Sequence, residues 1–174
     1  MANPILKIPP KPELIIGIDP DVDKSGVACL NVKHCSFFFA EALSFPDLIK
    51  YLHGFHDWPG GAHLVQVVVE ASWKVTGNWH LNQWERRQKA AAKGYDVGRN
   101  HETGRKICEM ARAFGVDVVE HIPLRKCWKG PDRKITHEEL AKFTDIDGLC
   151  KRTNQEVRDA ALLAWSMSGF PIKL

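Results

Sequence analysis

The stretch ELIIGIDPDVDKSGVACLNV, residues 13–32, decides how this chain is read. Leu14–Asp19 is a short apolar run that ends on a carboxylate, with Asp21 and Asp23 close behind. Runs of this kind bounded by turn residues read as buried strands. DVDKSG turns the chain, and Val27–Val32 reads as a second strand. His34–Ala40, with CSFFFA at its centre, follows after a short bend as a third. Three strands this close predict an antiparallel meander.

Working outward, Ser44 before FPDLIKYLHGF places Pro46 in a first helical turn, with Leu48, Ile49 and Leu52 at helical spacing. Leu64–Val69 is apolar at nearly every position, as central parallel strands are, and it ends on Glu70. Two apolar strands separated by a crossover helix therefore each deliver a carboxylate at the C-terminal end. In open α/β sheets that end is where sites form. Residues 71–95 are rich in Trp, Lys, Arg and Gly and show no clear period. Asn100–Gly115 reads as a helix with Gly104, Ile107, Cys108, Ala111 and Phe114 on one face, and Val116–Ile122 as a fifth strand stopped by Pro123. Thr136 and Glu139 have capping-box spacing ahead of a short helix, ITHEELAKF. Gln155–Met167 is an apolar C-terminal helix carrying Glu156 and Asp159 three apart, hence on one helical face.

The chain has 174 residues, 44% of them hydrophobic and 26% charged, which predicts one globular domain, with residues 1–12 as a proline-rich extended arm. No apolar run is long enough to cross a bilayer, and the prolines of the arm interrupt any signal-peptide core, so a cytoplasmic protein is expected. Five cysteines with no CxxC pair read as reduced thiols rather than a disulfide framework or zinc site, and the eight histidines form no ligand pattern. The net charge is only +3, but the bases are concentrated in WERRQKAAAK, residues 84–93, and RKCWKGPDRK, residues 125–134. A positive surface around a negative pocket is one consequence; two solvated basic loops are the other.

Four carboxylates converging from two strand ends and a helix would repel one another. Divalent cations relieve such repulsion, and an all-oxygen donor set suits magnesium or manganese. Two such ions support phosphodiester hydrolysis. Each acid also has a structural role open to it: Asp19 as a turn residue before Pro20, Glu70 as a cap, Glu156 in a capping box with Thr153, and Asp159 paired with Arg158 or Arg105. Asp21 and Asp23 read as turn residues beside Ser25-Gly26.

On these residues the chain resembles the RuvC-type Holliday-junction resolvases of the ribonuclease H-like superfamily. IIGIDPDVDKSGVA resembles the first motif, a strand ending in Asp-Pro with a Gly seven residues after the Asp, here Gly26. VVVEASW resembles the second, a Glu followed by an aromatic three residues on, here Trp73, and NQEVRDAALLAW is similar to the last. The resemblance spans residues 14–167. It implies a five-stranded mixed sheet flanked by helices, with the first three strands antiparallel and the fourth and fifth parallel. It also implies a homodimeric endonuclease that makes paired nicks in branched DNA, leaving 5′-phosphate and 3′-hydroxyl ends. Asp19, Glu70, Glu156 and Asp159 map onto acids that hold two Mg2+ or Mn2+ ions. Trp73, Lys74, Arg86, Arg87 and Lys89, together with Arg125, Lys126, Lys129 and Lys134, become the candidate DNA contacts. Gly104, Ile107, Cys108 and Ala111 fall on the helix that corresponds to the family's dimer helix. Core packing remains the other role open to Trp73, as does an ordinary helix glycine for Gly104.

Three features depart from the bacterial pattern. Asp21 stands where a glycine commonly follows Asp-Pro, Glu156 stands where Asp or His is usual, and the segment after Glu70 is longer and carries Trp73, Trp79 and Trp84. These departures resemble phage-carried resolvases. An RNA-processing nuclease of the same superfamily and a catalytically inactive DNA-structure-binding protein are the alternative readings.

Overall fold

Residues 11–75 and 87–172 are described by the computed structural model. Arg86, Trp79, Trp84, the side chain of Arg87 and residues 1–10 of the expected arm lie outside the described residues.

Three antiparallel strands open the fold: β1 (Leu14–Asp19), β2 (Ser25–Asn31) and β3 (Ser36–Leu43). The tight turn between β1 and β2 is built by its acids and Ser25. Asp23 N–H donates to Asp21 Oδ1 at 2.8 Å, and Asp21 N–H donates to Ser25 Oγ at 3.1 Å, so both aspartates take the turn role expected of them. Helix α1 (Phe45–His53) begins at Ser44, whose hydroxyl caps Asp47 N–H, and leads into β4 (Val65–Glu70). A long helix α2 (Arg87–Ala113) returns the chain to β5 (Asp117–His121). Two short helices, α3 (His137–Ala141) and α4 (Ile146–Leu149), precede α5 (Gln155–Ser168).

The strands lie in the order β3-β2-β1-β4-β5, with β1–β2 and β2–β3 antiparallel and β1–β4 and β4–β5 parallel. This is the five-stranded mixed sheet that the resemblance implies, three strands antiparallel and the later two parallel. Strand alternation divides the core into two layers. Ile16, Ile18, Val67 and Val69 face α1 and α2, where Leu48, Leu52, Ile107, Cys108 and Ala111 complete one cluster. Ile15, Ala28, Leu30 and Val68 face α5, where Ala160, Ala161, Leu163 and Ala164 complete the other.

The expected helix Asn100–Gly115 begins thirteen residues earlier, at Arg87. Residues 89–99, KAAAKGYDVGR, bury no apolar face, so periodicity is blind to them. Alanine, lysine, arginine and glutamine favour a helix by propensity alone. The half that packs on the sheet carries the period.

That packing corrects the expected dimer surface. Ile107 and Ala111 are fully buried and Cys108 nearly so, all within the chain's own core. A face spent on the sheet is not available to a second copy. Gly104 is buried too, and a Cβ there would come within 2.3 Å of the Trp73 ring. Its bareness serves an internal contact.

Candidate active site

Two acids reach one place because of strand arithmetic. β1 and β4 run parallel with Ile18 opposite Val69, so Asp19 and Glu70 are the next residues at adjacent C-terminal ends. Asp19 shares a strand face with Gly17 and Ile15, and Glu70 with Val68; Ile15 and Val68 lie in the α5-side core. Both carboxylates therefore emerge on the α5 face.

Helix α5 supplies the other two. A Cβ on Gly17 would stand 2.0 Å from Ala160 O, and one on Gly26 would stand 2.0 Å from Glu156 O. These two glycines, on neighbouring strands, leave a bare strip on which the backbone of α5 rests. The first turn of α5, with Glu156 and Asp159, is thereby laid beside Asp19. Asn154 caps the helix, its Oδ1 accepting Val157 N–H at 2.9 Å. The box between Thr153 and Glu156 is not formed, since Thr153 Oγ1 instead meets His137 Nδ1 at 2.9 Å. Glu156 is therefore not spent on closing that box.

The proximity of these carboxylates carries an electrostatic cost. Burial, then the charges of Glu70 and Asp159, push the Asp19 carboxyl well above the usual aspartate range; Lys134 offsets part of this and Glu156 adds to it. Glu70 is raised by burial and by Asp159, against the opposing charges of Lys134 and Lys126. Buried like charges cannot all ionise at ordinary cost.

Lys134, expected among the DNA contacts, lies inside this cluster. Its Nζ donates to Asp159 Oδ2 at 2.6 Å. Burial works against the ammonium, but the Asp159 hydrogen bond and charge, with Asp19 and Glu70, outweigh it and raise its pKa. Asp159 Oδ1 accepts Gln155 Nε2–H at 2.8 Å, and Arg158 holds Gln155 through Oε1 at 2.8 Å. Among the described residues the other role open to Asp159, a pairing with Arg158 or Arg105, is not taken. Arg158 is turned to the carbonyls of Ile135 and Thr153, and Arg105 lies 5.7 Å from the centre of the Trp73 ring. Gln155 was missed by sequence reasoning, though its i,i+4 spacing to Asp159 was legible.

A cleft of about 80 Å3 opens beside Glu70 and Asp159, bordered by Pro123, Arg125, Lys126, Trp128 and Lys134. Arg125, Lys126 and Lys129 are exposed on the loop after β5. Lys89 is also exposed, in the first turn of α2. Trp73 is placed otherwise than expected. Its indole N–H donates to Glu120 Oε2 at 3.3 Å and its ring fills the space over Gly104, so it is committed to packing rather than standing clear for a base. Lys74 is likewise engaged, 3.1 Å from Glu120 Oε2.

Among the described residues no three carboxylate, histidine or cysteine groups close on a single point as a metal cage. The donor chemistry nevertheless fits a hard divalent cation: carboxylates with surplus negative charge at the mouth of a cleft. Here Lys134 supplies the cationic charge.

No protein-family model and no curated protein sequence matches the chain. Among solved structures, one of Thermus thermophilus RuvC is similar at 16% identity with a TM-score of 0.45, covering 92% of this chain and 99% of that one. T. thermophilus RuvC in complex with a Holliday junction substrate is similar at 15% identity and a TM-score of 0.43, covering 90% and 96%. A Cas12f1–sgRNA–target DNA complex is similar at 13% identity and a TM-score of 0.44, covering 89% of this chain and 50% of that one. Among the described residues no helix is long and apolar enough to cross a membrane.

Proposed function

We propose that residues 1–174 form one nuclease domain, a metal-dependent endodeoxyribonuclease acting in the cytoplasm on four-way or other branched DNA. The observation that carries this reading is the meeting of Asp19 and Glu70, on adjacent parallel strand ends, with Asp159 and Glu156 from α5 on the same face. Those four acids would hold two Mg2+ or Mn2+ ions. Bound divalent ions supply activation of water and stabilisation of the leaving oxygen in phosphodiester hydrolysis.

The chain's own residues do the rest. Burial and crowding keep the carboxylates of Asp19 and Glu70 poor in solvent and short of positive charge. Gln155 and Arg158 fix the orientation of Asp159. Arg125 and Lys126, at the cleft, and Lys129, exposed on the same loop, are suited to phosphate oxygens, and their contribution to affinity falls as salt rises. Lys89, exposed in the first turn of α2, is suited to the same role. Paired nicks require two copies of the chain, meeting through a surface other than the buried face of α2. Cleavage is expected to leave 5′-phosphate and 3′-hydroxyl ends.

The test is a labelled synthetic four-way junction beside matched linear duplex and RNA–DNA hybrid, incubated with wild type or Asp19→Asn in magnesium or chelator. Symmetric nicks near the branch point, dependent on metal and lost in the variant, are the expected result. Cleavage of the hybrid alone would replace this reading with RNA processing. Tight junction binding without cleavage in either metal would leave a DNA-structure-binding protein.

A further inference from the structure

Lys134 is held in a way that ordinary surface lysines are not. It ends a tightly wound loop in which Trp128 N–H donates to Arg133 O at 3.1 Å, Gly130 N–H to Lys134 O at 3.0 Å and Arg133 N–H to Gly130 O at 3.0 Å. Asp132 and Arg133 take left-handed backbone conformations to make the turn, with φ of 52° and 59°. The loop is pinned from beneath by Glu139, a buried carboxylate that accepts Lys129 N–H at 3.1 Å and Thr136 N–H at 3.1 Å. Glu139 thus closes the capping box of α3 and anchors the loop at once. The backbone has little freedom; the four-carbon stem of Lys134 has much.

Both oxygens of Asp159 are already taken, Oδ2 by Lys134 and Oδ1 by Gln155. An ammonium 2.6 Å from a carboxylate oxygen and a divalent ion on that same oxygen repel each other strongly. One of them must yield. Because the loop is pinned, the lysine can yield by swinging its side chain while remaining at the mouth of the cleft.

We propose that Lys134 is a tethered counter-cation: it neutralises the Asp19–Glu70–Asp159 cluster in the metal-free protein and gives up Asp159 when a divalent cation enters. The inference rests on the metal-site reading above and adds to it an exchange of charge. Lys134 thereby sets how tightly the site takes metal and spares the fold an uncompensated acidic cluster in its absence.

The experiment is calorimetric titration of Mn2+ into DNA-free protein. Lys134→Met is expected to bind at least about tenfold tighter than wild type, because the competing charge is gone. Lys134→Arg, which keeps the charge, is expected to bind much as wild type does. In chelator Lys134→Met should melt below wild type, and Mn2+ should close that gap. Equal or weaker Mn2+ binding by folded Lys134→Met would overturn the exchange. If instead Asp19→Asn leaves wild-type Mn2+ binding unchanged, the metal-site reading itself fails, whatever Lys134 does. A second measurement needs no variant: amine-reactive labelling of wild type, quantified at Lys134 by mass spectrometry. Protection in chelator and labelling that grows with Mn2+ is expected; equal labelling in both contradicts the exchange.

Discussion

The ends of β4 and β5 carry two glutamates one strand apart, and the fold treats them in opposite ways. Glu120 emerges on the α2 face and is fully answered: Arg112 donates to its Oε1 at 2.7 Å, and Trp73 and Lys74 reach its Oε2. Its carboxyl is held below the usual range, first by the Arg112 hydrogen bond. Glu70 emerges on the α5 face among Asp19, Asp159 and Glu156, with Lys134 bound to a neighbour rather than to itself, and its carboxyl is raised. The same residue type at the same sheet end is thus satisfied on one face and frustrated on the other. Satisfied carboxylates stabilise a fold, whereas frustrated ones persist when something outside the protein completes them. The difference separates a brace from a site.

The largest expected effect falls on the frustrated face. Asp19→Asn should lower junction cleavage by at least about 10³-fold, as loss of transition-state electrostatics does, measured as single-turnover rate in magnesium. Gly26→Ala should follow. Its Cβ would overlap the Glu156 carbonyl that rests there, so α5 must shift, at a cost of about 1–3 kcal/mol in denaturant unfolding together with loss of cleavage. Asp19→Asn should also raise the stability of the metal-free protein at neutral pH, by about 1–2 kcal/mol, seen as a thermal midpoint higher by roughly 2–8 °C. Glu120→Gln should do the reverse, losing about 1 kcal/mol, because a charge-assisted brace is weakened rather than a repulsion relieved.

The smallest effect is in the pH profile, and the two faces have opposite signs. Asp19 and Glu70 bind protons more tightly in the folded state than in the unfolded state, so their ionisation costs stability at neutral pH. That cost is relieved as the pH falls through their raised folded values towards the ordinary carboxylate range, about 4. Glu120 has a depressed folded value, so its stabilisation is present above the ordinary range and lost as the pH falls through that lower value. Metal-free wild type should therefore gain stability on mild acidification and lose it in stronger acid. Thermal melts across pH should show the first limb flattened in Asp19→Asn and the second flattened in Glu120→Gln.

How much of this was legible in the sequence follows from what each residue answers to. The strands, α1, α5 and the caps at Ser44 and Thr136 were readable because apolar alternation and capping chemistry are local. The meeting of Asp19 with Glu70 was readable because parallel strands align their ends. The first half of α2 was hidden because it buries nothing, and the Asn154 cap was hidden behind an equally good Thr153–Glu156 spacing. Trp73, Lys134 and the α2 face meet partners the sequence did not single out, for one reason. Whether a tryptophan packs or protrudes, whether a lysine faces solvent or an acid, and whether an apolar face meets the sheet or a second copy are decided across the fold. Gly17 stood in plain sight in LIIGID, but only the 2.0 Å approach of Ala160 O explains its bareness.

The most direct test of the acidic face as a metal site is anomalous diffraction from crystals of the protein grown or soaked in Mn2+. Peaks among Asp19, Glu70, Glu156 and Asp159, with Lys134 drawn off Asp159, are the expected result. A map at saturating Mn2+ with no peak at these four acids, and with Lys134 still on Asp159, would contradict it.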